Sequence, residues 1–173
     1  MKEALIVVDM QNDFIDGILG TPEAVSIVPR VLKKVNEFHG LIFFTQDTHG
    51  EDYLETEEGK NLPLPHCIRG TYGWKICDAL IEAAQWHTTV HKYTFGSYGL
   101  AQRLARENER SPIDRVTLVG LCTDICVISN AMMVKTVLPN AHVVVDSSCC
   151  AGTTLESHLR ALKSMQTCHI EVV

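Results

Sequence analysis

The chain has 173 residues, 46% hydrophobic and 21% charged, which is the make-up of one soluble globular domain spanning residues 1–173. A formal net charge of −6 argues against a nucleic-acid binder, which carries a basic face. No stretch reaches the roughly 20 apolar residues of a membrane helix, and the N-terminal apolar run stops at Asp9, too short for a signal-peptide core. The sequence thus predicts a cytoplasmic protein that binds neither membrane nor nucleic acid. Its seven cysteines are expected as free thiols in a reducing compartment, most of them small buried hydrophobes.

In chain order, ALIVV at residues 4–8 reads as a strand buried on both faces. Helical spacing follows over residues 24–38 (Val25, Val28, Val31, Leu32, Val35, Phe38), with Gly40 closing it. LIFFT at 41–45 is a second strand. A long polar loop runs from residue 47 to about 73, and a loop of that length in a compact domain is usually functional. The spacing predicts a helix over 74–86, a strand over 88–91 and a helix over 100–108. A strand at 115–119 ends in Gly120, and a helix over 124–138 is broken by Pro139. A strand over 142–145, a helix over 154–165 and a strand over 169–172 complete the chain. Strands alternating with helices mean crossover units, hence a three-layer α/β/α sandwich around a mainly parallel six-stranded sheet.

In open parallel sheets, ligands sit beyond the carboxyl ends of the strands. Asp9, with Gln11 to Phe14, follows the first strand; Asp47 and His49 follow the second, Lys92 the third, and the segment from Cys122 to Cys126 the fourth. A carboxylate, an ammonium and a thiol therefore meet at one sheet edge. Alone, each has a plain reading: Asp9 as a helix cap, Lys92 as a surface charge, Cys126 as core filler. Together they suit nucleophilic catalysis. An ordinary thiol is mostly protonated at neutral pH, and a helix N-terminus with a nearby ammonium favours the reactive thiolate. Asp9 can take the thiol proton and later give it to a leaving amine. Backbone N–H groups at the turn can hold a developing oxyanion.

Three motifs, VVDMQNDF at 7–14, HKYTFGSY at 91–98 and GLCTDICV at 120–127, resemble the isochorismatase-like cysteine hydrolases, and within them the nicotinamidase branch. The resemblance covers nearly the whole chain and implies the Rossmann-like fold of that family. It implies a catalytic group of Asp9, Lys92 and Cys126. It also implies a cis peptide between Leu121 and Cys122, which turns the Cys122 N–H, beside that of Cys126, toward the oxyanion. A divalent metal is implied at Asp47, His49, Glu58 and His66, with Glu55 and Glu57 as competitors for the third place. Two histidines and two carboxylates suit Zn²⁺, with Mn²⁺ or Fe²⁺ as alternatives. Phe14 and Phe95 match the aromatic residues that sandwich the substrate ring. One position departs from the family: the aromatic residue three before the metal-binding His is here Pro63, with Tyr72, Trp74 or Trp86 as substitutes.

The expected reaction is hydrolysis of a small amide, nicotinamide to nicotinate and ammonia, through a thioester, with a place in NAD salvage. It needs no organic cofactor. A related hydrolase acting on an N-carbamoyl compound or ureide is the alternative, for which only Lys60 and Arg69 offer cations to a substrate carboxylate. The true isochorismatase reaction ranks lower, because that branch lacks the nucleophilic cysteine. A non-catalytic binding protein on the same fold is the remaining class; it predicts a missing Asp, Lys or Cys. The family implies a homo-oligomer, dimer or tetramer.

Overall fold

In a computed structural model describing residues 1–173, six strands form one sheet in the order β3-β2-β1-β4-β5-β6, with every neighbouring pair parallel. The strands are β1 (Glu3–Val8), β2 (Leu41–Asp47), β3 (Thr88–Lys92), β4 (Arg115–Leu121), β5 (His142–Ala151) and β6 (Glu171–Val172). The chain winds outward from β1 to β3, returns to the other side of β1, and winds outward again. The order therefore reverses between β1 and β4, and ligands bind in such sheets at that crevice. No helix is long and apolar enough to cross a membrane.

Alternation along β1 explains the three layers, because successive side chains point to opposite faces. Ala4, Ile6 and Val8 pack with α5 (Tyr98–Arg110), α6 (Ile128–Val137) and α7 (Leu155–Thr167). Leu5 and Val7 pack on the opposite face with α1 (Asn12–Ile15), α2 (Pro22–Glu37) and α4 (Asp78–Trp86). Both layers are apolar and fully buried at the sheet, which is why the strands read as continuous hydrophobic runs.

The elements fall where the sequence places them, with four informative differences. Helix α2 begins two residues earlier than predicted, because Thr21 caps it by accepting from the Ala24 amide and Pro22 pre-sets the first turn. Residues 74–77 are not helical. Their backbone is taken up by the turn after β1, with the Lys75 carbonyl accepting from Asn12 and the Cys77 amide donating to Met10. Strand β5 continues through Asp146, Ser147 and Ser148 to Ala151, past its apolar run, with a register shift against β4 between Leu118 and Gly120. The long loop carries a 3-10 turn at Tyr53–Glu55 and the short helix α3 (Glu57–Asn61), capped by the Thr56 hydroxyl.

Gly120 sits at the critical end of β4 with φ +115°, and a Cβ there would run into the Val8 carbonyl. Only glycine fits both constraints. Gly120→Ala is expected to lower unfolding stability by roughly 1–3 kcal/mol, read by urea denaturation.

Candidate active site

Asp9, Lys92 and Cys126 converge at the switch point, all three buried. Asp9 stands one residue beyond β1 in a left-handed conformation, φ 45°, which Asp tolerates better than most residues. Thr45, on neighbouring β2, holds it twice. The threonine hydroxyl donates to Asp9 Oδ1 (2.6 Å) and its oxygen accepts from the Asp9 amide (3.2 Å).

The Lys92 ammonium lies 2.8 Å from Asp9 Oδ2, 2.9 Å from Asp47 Oδ1, 3.2 Å from the Thr94 carbonyl and 3.4 Å from Cys126 Sγ. Beyond that ion pair, no other donor reaches Asp9 Oδ2. A buried carboxylate oxygen with accepting capacity to spare, beside a thiol, is placed to accept that thiol's proton.

The charges agree with this assignment. Burial, helped by the neighbouring Asp47 charge and opposed by Lys92, raises the Asp9 carboxyl above its ordinary range. Burial and the Asp9 charge push the Cys126 thiol well up, against the pull of Lys92, so the resting sulfur holds its proton. Burial works to lower Lys92, but the carboxylates of Asp9 and Asp47 outweigh it and keep the ammonium charged.

Cys126 does not sit in a regular α-helix. Thr123–Val127 form a single π turn before α6, where the Cys122 carbonyl accepts from the Ile125 and Val127 amides and passes over that of Cys126. The Leu121–Cys122 peptide is cis, and the Cys122 amide donates no hydrogen bond within the protein. Beside the turn, Asp124 accepts from the Thr153 amide (2.9 Å) and hydroxyl (2.6 Å), and Thr123 shares a hydrogen bond with His158 (2.8 Å).

Asp47, His49, Glu58 and His66 each turn one donor atom into a common space, with all four within 4.8 Å of one another. The separations from the histidine Nε2 atoms to the carboxylate oxygens run from 3.1 to 3.9 Å. Tetrahedral ligands about 2.0–2.2 Å from a metal stand about 3.3–3.6 Å apart, so the donor set fits a divalent ion. The His66 Nδ1–H donates to the Leu64 carbonyl (2.8 Å), leaving the Nε2 lone pair facing the group. Burial would lower the His49 pKa, but Asp47 and Glu58 raise it overall, as expected where a cation's position is surrounded by carboxylates. Glu58 is the glutamate of the set; Glu57 points outward and pairs with Lys60.

Cys126, Cys122, Asp47, Glu58 and His66 line one cavity of about 720 Å³, walled by Phe14, Leu19, Leu62, Phe95 and Ile125. Phe14 meets the His66 ring edge-on at 5.5 Å. None of Tyr72, Trp74 and Trp86 lines the cavity. Trp74 donates to the Thr48 hydroxyl, and the other two project from the surface. Aliphatic Leu19 and Leu62 serve as wall instead.

Several residues at the end of the first strand set this geometry, although the sequence assigned them no role. Gln11 clamps the Asp47 backbone at both ends, donating to its carbonyl (2.9 Å) and accepting from its amide (2.7 Å). Asp13 accepts from the Cys67 amide (2.7 Å), fixing the backbone beside His66. Their polarity immediately after an apolar strand was the available signal.

This geometry is that of the isochorismatase family, whose domain model matches residues 3–173. The chain belongs to that family and, within it, falls with the nicotinamidases. The nicotinamidase/pyrazinamidase of Mycobacterium tuberculosis is 28% identical over 98% of this chain and 97% of its own length. The zinc-complexed pyrazinamidase of Pyrococcus horikoshii superposes with a TM-score of 0.82 at 28% identity, covering 100% of this chain and 99% of that one. The N-carbamoylsarcosine amidase of Thermoplasma acidophilum superposes at 0.79 with 26% identity, over 99% and 95%.

Two outcomes are expected. Thr45→Val removes the hydroxyl that stabilises the Asp9 carboxylate. The Asp9 pKa then rises, and the acid limb of Cys126 alkylation by iodoacetamide moves up by about 1 pH unit. Glu58→Gln weakens Zn²⁺ binding at least about tenfold in chelator competition, whereas Glu57→Gln leaves it unchanged.

Proposed function

We propose that the protein hydrolyses a small uncharged carboxamide through Cys126, with nicotinamide to nicotinate and ammonia as the reaction that fits best. One observation carries this reading: the Lys92-paired thiol and three members of the four-donor cluster, Asp47, Glu58 and His66, line the same cavity. A flat heteroaromatic amide can present its carbonyl to one and its ring nitrogen to the other.

Asp9 Oδ2 takes the Cys126 proton, and Lys92 stabilises the thiolate. The sulfur attacks the amide carbon, and the N–H groups of Cys122 and Cys126 receive the oxyanion. Asp9 returns the proton to nitrogen as the C–N bond breaks, releasing ammonia and leaving a thioester. Asp9 then deprotonates a water that adds to the thioester carbon, and collapse expels the thiolate and frees the acid. Asp47, His49, Glu58 and His66 would hold the divalent ion, best matched by Zn²⁺, which when bound supplies a Lewis-acid anchor for the ring nitrogen. Phe14 and Phe95 orient the ring.

The cavity charge argues against N-carbamoyl amino acids and ureido acids. No Lys or Arg lines it, while the carboxylates of Asp47 and Glu58 do. Lys60 pairs with Glu57, and Arg69 lies over Trp74 and donates to Tyr93. A substrate carboxylate therefore has no cationic side chain to meet. All seven cysteines are free, in keeping with work in a reducing cytoplasm, and a dimer or tetramer is proposed on the family pattern.

Ammonia release should be strong with nicotinamide and pyrazinamide and absent with N-carbamoyl amino acids. Cys126→Ala should lower kcat by roughly 10³-fold or more. Activity on nicotinamide that survives this substitution rules out the mechanism, and a preference for carbamoyl acids rules out the substrate class.

A further inference from the structure

Asn130 is buried at 1% exposure in α6, one turn after Cys126, and the reaction as derived makes no use of it. Its side chain makes three hydrogen bonds. Nδ2 donates to the Cys126 carbonyl (2.8 Å) and to the Phe95 carbonyl (3.1 Å), and Oδ1 accepts from the Ser97 amide (2.9 Å). Two carbonyls and one amide fix the orientation of the carboxamide, since the flipped group would face acceptor with acceptor. Two of the three bonds reach a segment more than thirty residues away in sequence.

That segment is short and consequential. Thr94 gives its carbonyl to Lys92, Phe95 forms a cavity wall, and Ser97 caps α5 by accepting from the Leu100 amide. Between them Gly96 lies against Met133 of α6, where even a Cβ would collide with the sulfur. The segment has no regular secondary structure of its own, and Asn130 ties its backbone directly to the nucleophile's backbone.

We infer that Asn130 is a positioning residue that sets where the Phe95 wall stands relative to the Cys126 sulfur. The inference rests on the reading of Cys126 as nucleophile and of Phe95 as part of the substrate wall. It assigns to Asn130 the placing of an aromatic group beside the thiol, while the thiol's own reactivity stays with Asp9 and Lys92.

Asn130→Ser separates this from a merely structural role. Hydroxyls elsewhere in α6 donate to the carbonyl four residues back, Ser129 to Ile125 (2.6 Å) and Thr136 to Met132 (2.8 Å). A serine at 130 keeps the bond to Cys126 in that way and loses both bonds to the Phe95 segment. The measurement compares Cys126 alkylation by phenacyl chloride, an aromatic reagent, with alkylation by iodoacetamide. Asn130→Ala and the melting temperature of each variant serve as companions.

Wild-type protein should favour the aromatic reagent. In Asn130→Ser the aromatic rate should fall at least about tenfold, with the iodoacetamide rate within about threefold of wild type and nicotinamide turnover losing through KM more than kcat. Asn130→Ala should show the same loss of preference. Full rescue by serine, with unchanged preference and KM, overturns the inference. So does an equal fall of both alkylation rates with a lowered melting temperature, which marks a general structural role. Labelling that spares Cys126 in the wild type overturns the nucleophile reading and this one with it. A loss of aromatic preference in a protein inactive on nicotinamide leaves this inference standing and removes only the substrate.

Discussion

The buried ammonium of Lys92 is the constraint on which the site depends. Taking a charge of this kind out of water costs several kcal/mol, and it is tolerable only with close, well-aimed partners. Asp9 and Asp47 provide two carboxylates at 2.8 and 2.9 Å. Register makes the arrangement possible, because Asp47 and Lys92 are direct neighbours across β2 and β3, and Asp9 follows β1 on the other side of β2. Two carboxylates against one ammonium leave a surplus negative charge in a dry place. Asp47 spreads that surplus outward: one oxygen faces Lys92, the other faces His49 and His66. A divalent ion among those donors is the natural complement, and the four-donor geometry accommodates it.

The same constraint explains which parts of the protein were legible in its sequence. A parallel sheet covered on both faces demands unbroken apolar runs, so β1, β2 and β4 stand out, and the residue at each strand end declares itself as the first polar break. Position after β4 sets Cys122 and Cys126 apart from the five other thiols, and the resemblance of GLCTDICV to the family motif is what distinguishes the two. Glu58 could be named but not separated from its neighbours; the helical turn of α3 decides it, by turning Glu58 inward and Glu57 out. Less legible were places where the chain serves a distant partner. Asp146, Ser147 and Ser148 looked like the end of β5, yet the strand continues because Gly120 and Leu121 still need partners. Residues 74–77 have helical spacing, but their backbone satisfies the turn after β1. Thr45 and Gln11 act on partners 36 residues away, and no local pattern encodes such a pairing.

The π turn shows how local irregularity serves the chemistry. An α-helix starting at Cys122 would bond its carbonyl to the Cys126 amide. Here the carbonyl reaches instead to Ile125 and Val127, and the Cys126 amide is left off that bond. Single π turns of this kind recur at functional sites because they re-aim one residue without breaking the helix that follows. The Asp124–Thr153 and Thr123–His158 hydrogen bonds pin the flank of the turn, so the irregular backbone is held by side chains where regular bonding is missing.

The two halves of the site rest on different kinds of structure. Asp9, Lys92 and Cys126 sit at or just beyond strand ends and inherit the rigidity of the sheet. Glu58, His66, Leu19 and Leu62 sit on connecting segments that can vary with little effect on the core. Asp47 is the joint between the two. Gln11 clamps its backbone on both sides, and its two carboxylate oxygens serve the two halves of the site. The interval between thiol and donor cluster is thus fixed by one locked side chain and does not depend on loop position. A site built on that interval favours a short, rigid ligand that can touch both ends at once, and its acidic, cation-free lining disfavours ligands that bring a carboxylate of their own.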